Sequence, residues 1–333
     1  MKNKIKIYFL ENSFDYNGND LDSSLIAGSE KTLINISNEL AKDKKFLVKV
    51  FNNTSNPSFI NNVYWQNINQ INQEDIGDYV IAMSDSNLFD KMSCKKNYLW
   101  SHSIQSIEKF IRKKQLLPFF KHKPIMILEG EYHFDKRSLF TSFFGKEILM
   151  LAPDYDFINT NVDINYIPPP NAIFTTKSDR NLDILINSWY KIKNKVANSK
   201  LFINPPYNLN QDEIKNDIFL RKKESKNLLI RDLISSRLFI TPGHKTEVFC
   251  LAAEEARELC IPIVTLGYGS LYERVDHGLT GFIARNRNEF ISYAIDILVD
   301  DNLFLTLKKN LLNKRNSRNF SQVKEDLIKL LKI

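Results

Sequence analysis

Short apolar runs alternate with helix-period segments from one end of this chain to the other, and that alternation restricts the fold more than any other feature. Runs at 5–10, 46–51, 79–83, 98–100, 125–128 and 148–151 read as one series of strands. Runs at 172–175, 201–203, 238–241 and 261–266 read as a second. Several are apolar at consecutive positions, which suits strands covered on both faces. Between them, 29–42 carries Leu33, Ile36 and Leu40 on one helical face, and 182–193 carries Leu182, Leu185, Ile186 and Trp189. Helical patterns at 289–299, 301–314 and 321–331 close the chain. Strand, helix, strand repetition predicts an α/β fold with parallel sheets and right-handed crossovers.

The alternation breaks at 152–171, where Pro153 and the run Pro168, Pro169, Pro170 predict an extended connector. At 333 residues the chain exceeds one ordinary domain, so a comparable α/β domain is expected on each side. Cys94, Cys250 and Cys260 lack any Cys-x-x-Cys spacing, which argues against a disulfide framework or a structural zinc and predicts a cytoplasmic setting. The first residues lack the apolar core of a signal peptide, and no apolar run reaches the ~20 residues that span a bilayer. The net charge of +7 is densest at Arg112, Lys113 and Lys114, at Lys121, His122 and Lys123, and near the C-terminus. It predicts a solvated basic surface, with peripheral contact to the anionic inner membrane face as the sharper reading, at most ~1 kcal/mol per basic group. Nucleic acid is not expected as a partner, because no base-reading motif accompanies the charge.

Chemistry concentrates in Glu247-Val-Phe-Cys-Leu-Ala-Ala-Glu-Glu255, followed by Ala256 and Ile261-Pro-Ile-Val-Thr265. The pattern reads as two carboxylates opening a helix that leads into a short buried strand. Half-buried glutamates are costly unless a partner satisfies them, and a polyhydroxylated ligand such as a sugar or nucleotide is one such partner. Eight residues rise ~12 Å along an ideal helix, which fits poorly the roughly 5 to 9.5 Å between glycosidase carboxylates. Two well-separated acceptors suit an elongated ligand with hydroxyls at both ends. Asp154-Tyr-Asp156 follows a strand and offers an alternative, a metal-binding Asp-x-Asp. No Gly-x-Gly-x-x-Gly follows a strand, and Gly267-Tyr-Gly269 does not continue as one, so a dinucleotide-dependent dehydrogenase is not predicted.

Thr241-Pro-Gly-His-Lys-Thr-Glu-Val-Phe-Cys-Leu-Ala-Ala-Glu-Glu-Ala256 resembles the signature of retaining GT-B glycosyltransferases of family 4. The likeness continues through Ile261-Pro-Ile-Val-Thr265, Tyr272-Glu-Arg-Val275 and His277-Gly-Leu-Thr-Gly-Phe-Ile283, and covers most of 170–285. Ala27-Gly-Ser-Glu-Lys31 resembles that family's phosphate loop, the segment from Ile173 to Asp183 its basic segment, and Trp100-Ser-His102 its histidine turn. The resemblance implies a GT-B fold: two Rossmann-like domains with parallel sheets facing a cleft, at 1–155 and 156–317, and a helix at 318–333 crossing back onto the first.

It also implies roles. Glu247 would hold the donor sugar and Glu255 the nucleotide ribose. Lys177 and Arg180 would face the diphosphate, where fixed cations stabilise the charge of the leaving group. Thr246, Val248, Phe249 and Gly28 would complete the donor contacts, the Gly28 loop offering backbone N–H groups to phosphate or acceptor. His102 would touch the donor sugar and His133 the acceptor; His244 would contact donor or cap a loop, and Glu273 would bond loop backbone. The chain departs from the pattern at Lys177, where arginine is frequent and clamps bidentately, at Ala27, and at Cys250 and Cys260, where glycine is common. The implied activity moves a hexose or related sugar from a nucleotide-diphosphate sugar to a glycan or lipid-linked acceptor in polysaccharide biosynthesis, with retention and without metal or cofactor. The alternatives are a catalytically silent nucleotide-sugar-binding or assembly protein, and a metal-dependent GT-A enzyme using Asp154 and Asp156.

Overall fold

The computed structural model describes residues 4–23, 26–72, 75–222, 225–315 and 318–333. The chain divides into an N-terminal unit, Met1–Leu151 together with Phe320–Ile333, and a C-terminal unit, Ala152–Asn319.

The N-terminal unit runs β1 (Ile5–Leu10), α1 (Gly28–Ala41), β2 (Phe46–Asn52), β3 (Ser58–Ile60), β4 (Val63–Asn67), β5 (Gly77–Met83), β6 (Cys94–Trp100), α2 (Ile107–Arg112), α3 (Leu116–His122), β7 (Ile125–Leu128), α4 (Glu131–Lys136) and β8 (Lys146–Ile148). Its sheet has the order β3-β4-β2-β1-β5-β6-β7-β8. Every pair is parallel except β3 with β4. Ile7, Phe9 and Leu10 of β1 are sealed, as are Leu33, Ile36 and Leu40 of α1. Each such side chain contributes roughly 1.5–3 kcal/mol by leaving water.

The C-terminal unit runs α5 (Tyr155–Asn159), β9 (Asn171–Phe174), α6 (Leu182–Lys195), β10 (Lys200–Ile203), α7 (Gln211–Lys215), β11 (Ile218–Leu220), α8 (Lys226–Ile234), β12 (Leu238–Gly243), α9 (Leu251–Glu258), β13 (Ile263–Tyr268), β14 (Gly281–Ile283), α10 (Arg287–Val299) and α11 (Asp301–Leu312). Its sheet is parallel throughout, in the order β11-β10-β9-β12-β13-β14. The predicted face of α6 is buried, and Trp189 satisfies its indole N–H on the Asn216 carbonyl at 3.0 Å. The last helix, α12 (Phe320–Leu331), belongs to the N-terminal unit and packs on α1.

In each sheet the strand order reverses once, between β1 and β5 and between β9 and β12. Crossovers leave to opposite faces at such a point, which opens a crevice outside the carboxyl ends of the strands where ligands bind. The loops after β9 and β12 hold the residues singled out in the C-terminal half.

Several expectations need correction. The strand expected at 148–151 lies at Lys146–Ile148. The proline-rich connector contains the helical turn α5, because Phe157 there drops into the core beneath α9. The short strands β3, β11 and β14, and β4 beside β3, were not anticipated. The helix expected to open with Glu247 starts only at Leu251, because Cys250 before it is left-handed (φ 62°). Glu247 therefore lies on a loop, and the ~12 Å helical spacing to Glu255 does not apply.

Candidate functional site

The loop between β12 and α9 is fixed from two sides. From the loop after β9, Arg180 donates through Nη1 to the Thr246 hydroxyl and lies 3.3 Å from His244 Nδ1. The Asn181 amide donates to the Gly243 carbonyl at 2.6 Å. His244 Nδ1 in turn sits 2.7 Å from the Thr246 hydroxyl. From the loop after β13, the Ser270 N–H donates to the Glu247 carbonyl at 3.0 Å, and the Glu247 N–H closes a turn on His244 O at 2.9 Å. Gly243 (φ +80°) and Gly269 (φ +72°) allow this stacking: a Cβ on Gly269 would stand 2.3 Å from His244 O and 2.8 Å from Glu247 O. The Gly267-Tyr-Gly269 segment that failed as a dinucleotide motif thus serves loop packing.

The Glu247 side chain is the unsatisfied centre of this arrangement. Its Oε2 is sealed from solvent and has no partner. Burial pushes its carboxyl above the ordinary range, against the Cys250 thiol and the charges of Arg180 and Lys177, which pull it down. Thr175 and Thr176 Oγ1, just after β9, and Ser270 Oγ, just after β13, are also buried without a partner. Orphaned polar atoms are expensive, and their clustering at the carboxyl ends of three neighbouring strands marks a place where a polar ligand completes the bonding.

Of the other residues expected here, Lys177 is exposed and Thr246 carries the hydroxyl held by Arg180. Val248 and Phe249 are buried, so only their backbone is offered to a ligand. Glu255 is half-buried on the second turn of α9. Its neighbour Glu254 ion-pairs with Arg257 at 2.7 Å and Arg274 at 2.9 Å. Arg274, which sequence reasoning missed, also donates to the Phe249 carbonyl at 2.9 Å, stacks on the Phe249 ring at 4.0 Å and bonds Glu273 at 3.3 Å. It bolts the loop to the start of α9. The two departures from glycine, Cys250 and Cys260, both keep a positive φ (62° and 56°), so the backbone retains a glycine-like path at some cost in strain.

In the N-terminal unit His102 follows β6, and its Nδ1 bonds the Glu129 carboxylate at the end of β7. The His102 N–H is held by Ser84 Oγ at 3.0 Å, and its Nε2 is buried without a partner. Glu129 was not anticipated: a single glutamate between a strand and Gly130 has no distinguishing spacing. His133 is fully buried on α4, where Nδ1 accepts from the Glu129 N–H at 3.2 Å and Nε2 meets the Ser103 carbonyl at 3.1 Å. Burial holds its pKa down to about 4, so the ring is neutral. With both nitrogens spent on backbone, it positions the 101–105 turn and leaves none for an acceptor. Gly28 opens α1, but the Glu30 carboxylate already takes the Ala27 N–H at 3.2 Å and the Ser29 hydroxyl at 2.9 Å. A phosphate there would meet a negative charge, so this helix start favours a hydroxyl over a phosphate.

No protein-family model and no curated protein matches this sequence. Solved structures do match. The chain is similar to HepE of Anabaena, crystallised with UDP and glucose, at a TM-score of 0.67 and 13% identity over 98% of this chain and 99% of that one. It is similar to WaaG, a glycosyltransferase involved in lipopolysaccharide biosynthesis, at a TM-score of 0.69 and 12% identity over 98% and 99%. It is also similar to S. aureus TarM at a TM-score of 0.57 and 14% identity, covering 75% of this chain and 55% of the TarM chain. The fold is GT-B.

The GT-B fold removes the GT-A alternative, and the side chains agree. Lys226 Nζ lies 2.7 Å from Asp154 Oδ2 and 2.7 Å from Asp156 Oδ2, so the Asp-x-Asp pair is an internal ion pair anchoring α5 to α8.

Proposed function

We propose that this chain is a glycosyltransferase that moves a hexose or related sugar from a nucleotide-diphosphate donor to a glycan or lipid-linked acceptor, with retention and without a metal. The observation that carries the reading is the Glu247 carboxyl, with one oxygen sealed and unpartnered at the β9/β12 switch point beside Arg180 and Lys177. A sugar hydroxyl donating to Oε2 removes the orphan, and Glu255 takes the ribose hydroxyls. Lys177 and Arg180 stabilise the charge that grows on the diphosphate as the bond from sugar to phosphate breaks. The acceptor oxygen bonds the anomeric carbon on the face being vacated, and its proton goes to the departing phosphate oxygen. In the N-terminal unit, His102, aligned by Glu129, keeps Nε2 free of any protein partner. The UDP bound by HepE supports the donor class, and the lipopolysaccharide role of WaaG supports a cell-surface glycan as acceptor. Three free cysteines accord with a cytoplasmic setting.

The silent-binder reading draws on the missing glycines at 250 and 260; the positive φ at both positions, which glycine would adopt freely, favours the enzyme reading. The deciding experiment measures sugar transfer and donor hydrolysis in EDTA for the native chain and Glu247→Ala. Activity in EDTA that disappears in a folded Glu247→Ala protein supports the proposal. A native protein that binds donor but neither transfers nor hydrolyses it is a binder, and activity lost on chelation overturns metal independence.

A further inference from the structure

The four most exposed large apolar side chains among the described residues all lie in one stretch of the N-terminal unit: Leu117 at 83%, Leu139 at 78%, Phe143 at 66% and Ile111 at 59%. Ile107 and Phe120 belong to the same stretch, at 54% and 42%. Ile107 and Ile111 are one helical turn apart on α2, and Leu117 and Phe120 one turn apart on α3. These side chains stand on a rigid base. Phe110 of α2, Phe119 of α3 and Phe140 pack edge to face on one another at 5.4, 5.1 and 5.8 Å. On the outside, Phe120 and Phe143 meet at 6.2 Å. The apolar display is therefore preformed, and a water-facing surface of this kind marks an interaction site.

Its charge identifies the partner. Residues 107–146 contain nine lysines and arginines against four acidic residues, which is five of the seven positive charges by which the whole chain is in excess. Arg112 is exposed at the end of α2, Lys113 and Lys114 in the turn that follows, and Lys121 and Lys123 at the end of α3. Basic groups bordering exposed Leu, Ile and Phe side chains match the anionic headgroups and acyl boundary of a lipid leaflet. No described helix is long and apolar enough to cross a membrane, so contact would be at the surface.

We propose that the face built by α2, α3 and 139–143 docks the protein on an anionic phospholipid bilayer. The inference is independent of the donor site, and its test contains no nucleotide. Full-length protein is sedimented with phosphatidylcholine vesicles and with vesicles in which about a third of the lipid is phosphatidylglycerol. The native chain pellets with the anionic vesicles only, and about 0.5 M salt weakens the binding. Leu117→Asp with Leu139→Asp, and separately Arg112→Glu with Lys113→Glu and Lys114→Glu, each reduce binding about tenfold or more at unchanged melting temperature. The charge triple alters only exposed side chains, so it remains informative if the apolar double misfolds. Equal pelleting of native and variant proteins, or no lipid-dependent pelleting of the native chain, overturns the proposal. So does a native dimer in sedimentation velocity that the Leu117→Asp, Leu139→Asp protein cannot form, which would give the face to a second copy.

Discussion

The strand-end loops after β6 and β7 in the N-terminal unit and those after β9, β12 and β13 in the C-terminal unit handle their polar groups differently. After β6 and β7 the polar groups bond mostly to one another. Ser101 Oγ bonds the Ser103 carbonyl and receives the Gln105 amide, His133 bridges Glu129 N–H and Ser103 O, and Glu129 holds His102. His102 Nε2 and Gln105 Oε1 are left over there, and Glu11 Oε2, just after β1, is a further buried oxygen of this unit without a partner. In the C-terminal unit the loops brace one another through backbone and Arg180, while the groups they surround stay open: Glu247 Oε2, Thr175 Oγ1, Thr176 Oγ1 and Ser270 Oγ. The first arrangement is braced mainly by side chains bonded to one another. The second leaves several buried oxygens that a polar ligand would complete. That contrast divides positioning from binding, and it can be broken by substitution.

The largest effect falls on the open site. Glu247→Ala is expected to lower transfer about a thousandfold, at the upper end of what one preorganised electrostatic group supplies, as measured by steady-state kinetics. If activity survives within tenfold, the open groups are not the donor site. Next is the closed network. The unfolded chain protonates His133 near 6.5 and the folded chain only near about 4. Stability conferred by the neutral ring is complete above the first value and is lost as the pH falls toward the second, about 3 kcal/mol in all. Urea unfolding across this range should show that slope in the native chain and its absence in His133→Gln.

A smaller effect tests presentation. Glu129→Gln should lower kcat about tenfold with KM and melting temperature unchanged, because the amide no longer fixes which His102 nitrogen carries the proton. An equal fall in melting temperature would make Glu129 merely structural. Smallest is the cost of leaving Glu247 open. Burial raises its folded carboxyl above the ordinary carboxylate range, so the native state loses stability as pH rises through that raised value. Glu247→Gln escapes the loss and should be more stable than the native chain by about 1 kcal/mol at neutral pH without ligand. The gain should vanish below the unfolded carboxyl's pKa.

Much of the fold was legible because parallel strands buried on both faces are apolar at successive positions, as in β1 and β7. The edge strands β3, β11 and β14 have three residues each and too little pattern to register. The start of α9 was misplaced because apolar periodicity runs through Val248 and Phe249, whereas the left-handed Cys250 delays the helix to Leu251. The segments carrying Glu247, Lys177 and Arg180 stood out through their motif resemblance, and the structure brings these three residues near one another. Glu129 and Arg274 were not, since each acts through a partner distant in sequence, 27 residues for Glu129 and His102, and 20 to 25 for Arg274 with Glu254 and Phe249.

The most direct test of the open switch point is a thermal-shift titration of the native chain and Arg180→Ala against UDP-, GDP-, ADP- and CMP-sugars. A ligand held only by the folded state raises its melting temperature with concentration. The account predicts a concentration-dependent rise with at least one nucleotide-diphosphate sugar, which Arg180→Ala loses. No rise with any of them, or an equal rise in the Arg180→Ala protein, would contradict it.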